Sequence, residues 1–234
     1  MSVLGTQLVD NVLKSTCNLA VLKEWEDMSF PELMFHLARE HIRKRGNKVW
    51  LEDGHTGKKL MLDEMERSTK AVTKALKERG LKPGQVVAMV DMSRLETPIL
   101  ALATWLCGGV FNTMDPNPSI ATLKANLEAL PPAILITSTV YVNKLKDFCD
   151  ERNIKLWLYD KPGSIADLVP LKENSDLGNV DVASASKNPD DLALVLWSSG
   201  STGNPKGIKL PFSALIGTCL RQREAPISTI IDPE

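Results

Sequence analysis

Cysteine, histidine, aromatic residues and an excess of either charge are all scarce in this chain. The four cysteines, Cys17, Cys107, Cys149 and Cys219, form no C-x-x-C pair, and the histidines are three, His36, His41 and His55. That poverty argues against a zinc site or a disulfide framework and in favour of unpaired thiols in a reducing compartment. Lysine and arginine number 28 against 29 acidic residues, a net charge of −1, so the chain lacks the basic footprint that nucleic acid demands. The longest apolar stretch, Pro98–Phe111, is too short for a transmembrane span and reads as a buried helix. No basic-then-apolar leader opens the sequence, which points to an intracellular rather than a secreted protein. Repeats and low-complexity tracts are lacking too. The remainder is ordinary globular material, 43% hydrophobic over 234 residues, enough to bury roughly 70% of its unfolded surface.

Residues 1–28 show weak periodicity and read as a loosely attached arm. From Phe30 an amphipathic helix is expected, with Leu33, Phe35, Leu37 and Ile42 inward. It ends in the basic run His41–Arg45 and Gly46, since cations and then glycine suit a helix C-terminus. His36 and His41 have no acid or nucleophile pattern around them and read as surface or packing residues. Val49–Leu51 and Lys59–Leu62 read as strands around a turn at Gly54–Gly57. A second helix is expected from Asp63 as N-cap, with Glu66 completing a capping box, and it stops at Gly80. Thereafter strands that are apolar throughout (Val86–Val90, a short one to Phe111, Ala133–Thr137, Ile154–Tyr159, Leu192–Trp197) alternate with helices. That alternation predicts an α/β fold, a parallel-rich sheet covered by helices on both faces. Residues 160–189, rich in Pro, Gly, Ser, Asn and Asp, form a long connection.

The chemistry concentrates after the strand Leu192–Trp197. Ser198-Ser199-Gly200-Ser201-Thr202-Gly203-Asn204-Pro205-Lys206-Gly207 packs four hydroxyls, three glycines and one lysine into ten residues. Polyphosphate needs this mixture. Glycines free the backbone to turn N–H groups toward an anion, hydroxyls add donors, and a lysine supplies a compact positive charge. The segment is not a Walker A loop, because Pro205 precedes the lysine and Gly207 follows it where that motif has glycine and a hydroxyl. Gly207–Leu210 reads as a second strand, with a helix beginning near Pro211, so the loop joins two strands of a hairpin. A flexible glycine–serine turn is the plain alternative; the tight apolar strand before it and Gly-Ile-Lys-Leu-Pro after it argue against a linker.

Ser-Ser-Gly-Ser-Thr-Gly-Asn-Pro-Lys-Gly is similar to the signature of the AMP-binding, adenylate-forming superfamily, which includes acyl-CoA synthetases, 4-coumarate–CoA ligases and luciferase. The resemblance runs from about Pro31 to Gly217. Gly80-Leu-Lys-Pro-Gly-Gln-Val-Val and Trp105-Leu-Cys-Gly-Gly-Val with Asp115-Pro116 resemble weaker recurring segments in the same order. It implies the N-terminal part of the adenylate-forming fold, as layered parallel-rich sheets. It further implies that Ser198, Ser199, Gly200, Ser201, Thr202, Gly203 and Lys206 bind ATP, mainly its phosphates. Relatives join a carboxylic acid to AMP with Mg²⁺ assisting and pyrophosphate leaving; a thiol, usually coenzyme A, then displaces AMP.

No residue present matches the family's downstream acidic motif, its ribose-binding aspartate or its lid lysine, so no catalytic residue or metal ligand is assigned. The chain is expected as an arm (1–28), a partial AMP-binding domain (29–224) and an unassigned tail (225–234). Phe212 stands where near relatives often carry histidine, a change expected to alter packing at a helix start. Three readings stay open: an acyl-CoA synthetase-like ligase represented by its N-terminal part, an inactive nucleotide-binding fragment with a regulatory role, and an interaction domain with a vestigial loop. A cytoplasmic or peroxisomal location and self-association through an incompletely covered sheet are further expectations.

Overall fold

The computed structural model describes residues 6–9, 12–15, 27–170, 180, 184–198 and 205–224; for 6–9, 12–15 and 220–224 it describes the backbone alone. Within the weakly periodic residues 1–28, β1 (Thr6–Val9) and β2 (Val12–Ser15) form a two-stranded antiparallel hairpin.

Helix α1 (Phe30–Arg45) starts where Ser29 donates from both its backbone N and its Oγ to Glu32 Oε2, each at 2.7 Å. One carboxylate thereby satisfies an orphan donor at the helix start. The helix ends at Gly46, whose N–H reaches the Ile42 carbonyl at 2.9 Å with φ +78°, a conformation glycine adopts without strain. Strands β3 (Val49–Glu52) and β4 (Lys59–Met61) pair as a separate antiparallel hairpin. Helix α2 (Leu62–Glu78) has Met61 as its N-cap, two residues before the expected Asp63. The carboxylate that caps it belongs to Glu64, which accepts from Met61 N at 2.7 Å. Glu66, the expected partner, is instead engaged by Arg39 and Lys70 at 2.7 and 2.8 Å. The acidic residue nearer the helix start wins because it faces the free N–H groups, whereas Glu66 points sideways to α1.

The central sheet has six strands in the order β10-β9-β6-β5-β7-β8. These are β5 (Val86–Val90), β6 (Val110–Met114), β7 (Ile134–Thr137), β8 (Lys155–Leu158), β9 (Leu192–Ser198) and β10 (Lys206–Pro211). All neighbours are parallel except β9 and β10, which form the antiparallel hairpin expected around the hydroxyl-rich segment. Helices α3 (Thr97–Leu106), α4 (Ile120–Ala129) and α5 (Val142–Glu151) make the crossovers, α6 (Ile165–Leu168) is a single turn inside the long connection, and α7 (Phe212–Glu224) follows β10.

Strand β5 is buried along its whole length and divides the core by side-chain parity. Val87 and Met89 face a cluster with residues of α1, α2 and α3, including Leu76, Ile99 and Leu106. Ala88 and Val90 face the opposite cluster with Leu123 and Leu127 of α4 and Leu145 and Phe148 of α5. This is the sandwich that fully apolar strands demand.

Phe212 is a packing residue. It is 4% exposed and meets Phe30 and Trp105 at ring-centroid distances of 6.4 and 6.0 Å, while Phe30 and Trp105 pack edge-to-face at 5.4 Å. The Trp105 indole donates to the Ala193 carbonyl at 2.7 Å, so the trio ties α1, α3 and α7 to β9. Cys107, Cys149 and Cys219 are free thiols, as expected; Cys17 lies outside the described residues.

Two outcomes follow from this packing. Phe212→Ala empties a site shared by three rings and is expected to cost about 3–5 kcal/mol of stability, read by urea unfolding. Burial pushes the Cys107 thiol up to about 12 and the Cys149 thiol up to about 11. Both should therefore resist iodoacetamide at pH 8 in the native protein and react on unfolding, as mass spectrometry would show. Rapid native-state labelling of either would contradict the buried placement.

Candidate functional site

Parallel β/α crossovers place every turn that follows a strand at one edge of the sheet, the edge where α/β proteins hold ligands. Strand β9 runs parallel to β6, with Leu194 beside Phe111 and Val195 beside Asn112. Its carboxyl end, Ser198, therefore emerges at the same edge as Asp91 after β5 and Asp115 after β6. Ser198 and Lys206 are directly opposed at the mouth of the β9–β10 hairpin, and Ser198 Oγ lies 3.4 Å from the Lys206 carbonyl, to which it donates. Of the expected phosphate ligands the structure thus places two, Ser198 and Lys206, side by side. Ser199, Gly200, Ser201, Thr202 and Gly203 lie outside the described residues. Lys206 is exposed and makes no ion pair among the described residues, so its charge is available at the mouth.

The stem is anchored from below. Trp197, next to Ser198, donates its indole N–H to Asn112 Oδ1 at 2.9 Å. Asn112 is fully buried in β6, and the indole, a pure donor, fixes which side of the amide turns toward it. Its second group, Nδ2, has no partner among the described residues. Gly207 lies opposite Trp197, and a β-carbon built there would meet the indole ring at 3.5 Å, ordinary contact. Glycine at 207 is therefore not forced by space in the stem. Sequence reasoning passed over Asn112, although an amide between Phe111 and Thr113 in an apolar strand was a visible signal.

A second polar network sits at the ends of β5 and β8. Lys58 Nζ donates to Glu96 Oε1 at 2.8 Å and to the Val169 carbonyl at 3.1 Å, and the Tyr159 hydroxyl donates to the other Glu96 oxygen. Arg94 stacks on the Tyr159 ring at 4.3 Å and bonds both oxygens of buried Asp91 at 3.1 and 3.2 Å. Burial and the Glu96 carboxylate hold the Tyr159 hydroxyl well above its usual range, so it stays protonated. These partners are separated by 38 and 63 residues in sequence, and no local motif announces them. With each charge already matched, the network clamps loops together rather than offering a reactive group.

Among the described residues no group of three or more His, Cys, Asp or Glu side chains could hold a metal ion, and no helix is long and apolar enough to cross a membrane. A magnesium ion entering with a nucleotide would be held largely through the phosphates, the usual way that ion is carried into phosphate sites.

The family model described as AMP-binding enzyme matches residues 38–230. Among curated proteins, 4-coumarate--CoA ligase 1 of Petroselinum crispum is 27% identical over 184 residues, covering 78% of this chain and 33% of its own length. The 4-coumarate--CoA ligase CCL1 of Humulus lupulus is 24% identical over 184 residues, 78% of this chain and 34% of that protein. The chain thus spans about a third of the length of the curated relatives it matches. Among solved structures, the luciferase-like enzyme from the nonluminescent Zophobas morio mealworm superposes with a TM-score of 0.64 at 22% identity, over 80% of this chain and 44% of that one. ATP-bound MatB from Rhodopseudomonas palustris gives 0.62 at 22% identity, over 80% and 36%. The mixed, mostly parallel sheet flanked by helices is therefore that of the N-terminal domains of adenylate-forming enzymes, and the chain belongs to the AMP-binding enzyme family.

Proposed function

We propose that this chain supplies the ATP-phosphate-binding hairpin of an ATP-dependent acid–thiol ligase. In that reading a carboxylic acid is joined to AMP with release of pyrophosphate, and a thiol such as coenzyme A then takes the acyl group. The observation that carries it is the seat of the hydroxyl- and glycine-rich segment. It hangs from the carboxyl end of β9, with Ser198 and Lys206 facing one another at its mouth and Trp197 pinned to the sheet below.

The chemistry asks for this arrangement. A carboxylate is a poor electrophile; its oxygen attacks the α-phosphorus of ATP, the bond to the β-phosphate oxygen breaks, and pyrophosphate departs with the electron pair. Charge builds on the departing group, so fixed donors and a lysine aimed there lower the barrier more than they stabilise bound ATP. We assign the hydroxyls of Ser198, Ser199, Ser201 and Thr202 as donors to phosphate oxygens. In the same reading Gly200 and Gly203 would free the backbone to turn N–H groups toward the phosphates, with Lys206 as the counter-charge. Magnesium would arrive on the ATP phosphates and share their charge.

The lateral edge of the sheet, rather than the end from which the loop emerges, is the place for self-association. Strand β10 is the outer strand, and its Ile208 and the facing Leu196 are 47% and 37% exposed. An uncovered edge of this kind pairs with other chains, although Lys206 and Lys209 along it weaken that tendency. Light scattering is expected to show association that Ile208→Lys reduces; a monodisperse monomer at all concentrations would contradict it.

The ligase reading is tested by substitution within the full-length protein. Lys206→Ala is expected to weaken ATP use by roughly 10- to 100-fold, the equivalent of about 1.5–3 kcal/mol for a lost bond to a charged group. Ser198→Ala and Thr202→Ala should have smaller effects in the same direction. The measurement is ATP–pyrophosphate exchange with a panel of fatty and aromatic acids. Unchanged ATP dependence in all three variants would remove the hairpin from the mechanism.

A further inference from the structure

The ladder that joins the candidate phosphate hairpin to the sheet is short. Strands β6 and β9 share two register pairs, Phe111 with Leu194 and Asn112 with Val195. Beyond them β6 continues beside β5 as far as Met114, and β9 continues beside β10 as far as Ser198. Leu196, Trp197 and Ser198 therefore extend past the last β6 register pair, with the outermost strand as their register partner. Lys206 stands opposite Ser198 at the tip of that strand. Two strands by themselves are marginally stable in water, so the direction of this tip depends on whatever ties it back.

One side chain does so. Trp197 lies beyond the last register pair, and its indole N–H donates to Asn112 Oδ1, within that pair, at 2.9 Å. Among the described residues no other side-chain hydrogen bond joins Leu196–Ser198 or Lys206–Ile208 to the rest of the sheet. The Ser198 hydroxyl bonds across the hairpin instead, to the Lys206 carbonyl. The far end of the indole faces β10: a β-carbon built on Gly207 would meet its Cη2 and Cζ3 at 3.5 Å. The ring thus lies across β9, its N–H on β6 and its benzo edge against β10.

Asn112 has the chemistry of a tie rather than of a filler. It is fully buried, and its Nδ2 has no partner among the described residues. A buried donor left unpaired costs stability, and leucine, of similar shape, would occupy the place without that cost. The amide oxygen is what leucine lacks, and it is the acceptor that the indole, a donor only, uses.

We propose that Asn112 is a positioning residue: through the Trp197 indole it sets the angle at which the tip of the β9–β10 hairpin, with Ser198 and Lys206, meets the phosphates of ATP. This role rests on the ligase reading, which supplies ATP as the ligand of Ser198 and Lys206. Asn112 acts only through Trp197.

The test compares Asn112→Leu, Trp197→Phe and their double variant in the full-length protein, with Lys206→Ala alongside. The double variant removes donor and acceptor together, so its urea midpoint should be no lower than that of Trp197→Phe alone. Two further readouts need no turnover: hydrogen exchange without nucleotide, and MgATP affinity by calorimetry. Asn112→Leu and the double variant should exchange about tenfold faster at Leu196–Ser198 and Lys206–Ile208, with Leu192–Val195 unchanged. Both should bind MgATP roughly three- to tenfold more weakly, the equivalent of one lost hydrogen bond. The double variant should bind it no more weakly than the worse single variant, because the two residues act as one.

Unchanged exchange at the hairpin tip in Asn112→Leu would overturn the proposal. So would MgATP affinity that follows the urea midpoint across the variants, which would make Asn112 a packing residue. Weaker MgATP binding in Lys206→Ala with none in Asn112→Leu would overturn the positioning role alone. Indifference of MgATP binding to Lys206→Ala, or no binding by the parent protein, would overturn the ligase reading and the positioning role with it.

Discussion

A parallel strand buried on both faces dictates most of this architecture. Strand β5 offers no polar side to water, since every residue from Val86 to Val90 is buried. Such a strand is stable only if helices cover both sides, and only if each crossover returns the chain to the same end of the sheet. Helices α1, α2 and α3 cover one face, α4 and α5 the other. The return to one end gathers Asp91, Asp115, Ser138 and Ser198 along a single edge. The phosphate-type segment is thus delivered to the ligand edge by the same constraint that builds the core.

The antiparallel hairpin of β9 and β10 departs from that rule in a useful way. A crossover helix after β9 would have carried the chain away from the edge at once. A direct reversal instead keeps both ends of the hydroxyl-rich segment fixed, Ser198 on one strand and Lys206 on the other, in register. Lys206 is then tied by backbone pairing to the strand that ends in Ser198, although eight positions separate them in sequence. An edge strand results, with its exposed Ile208, as the consequence of placing the hairpin outermost.

How far the sequence foretold this can be traced residue by residue. The apolar strands were legible because burial on both faces removes the need for polar alternation, leaving runs such as Val86–Val90 without ambiguity. Helix α1 was legible from its basic end and Gly46, but Ser29 with Glu32 was a capping box that went unread. The start of α2 slipped because Asp63 with Glu66 and Met61 with Glu64 share the same spacing; the tertiary contact of Glu66 with Arg39 decides between them, and that contact spans 27 positions. The β1–β2 hairpin was missed although Asp10-Asn11, a turn-forming pair, separates two short strand-prone runs. In the candidate site, the hydroxyls, glycines and Lys206 announce themselves because they stand in consecutive positions. Asn112 and the Lys58–Glu96–Tyr159 network do not, since their meaning exists only once distant strands are neighbours.

Asn112 shows why such a residue is kept in a core. A buried amide costs stability wherever a donor goes unanswered, and its Nδ2 is unanswered among the described residues. A valine or threonine would fill the strand more cheaply. The return is orientation: an indole with one donor and one acceptor in reach has a single preferred pose, whereas apolar neighbours alone would let the ring tilt. Trp197 is the last residue before Ser198, so its bond to Asn112 adds a side-chain tie between β9 and β6 beside the end of the strand, next to the backbone pairing that holds the hairpin.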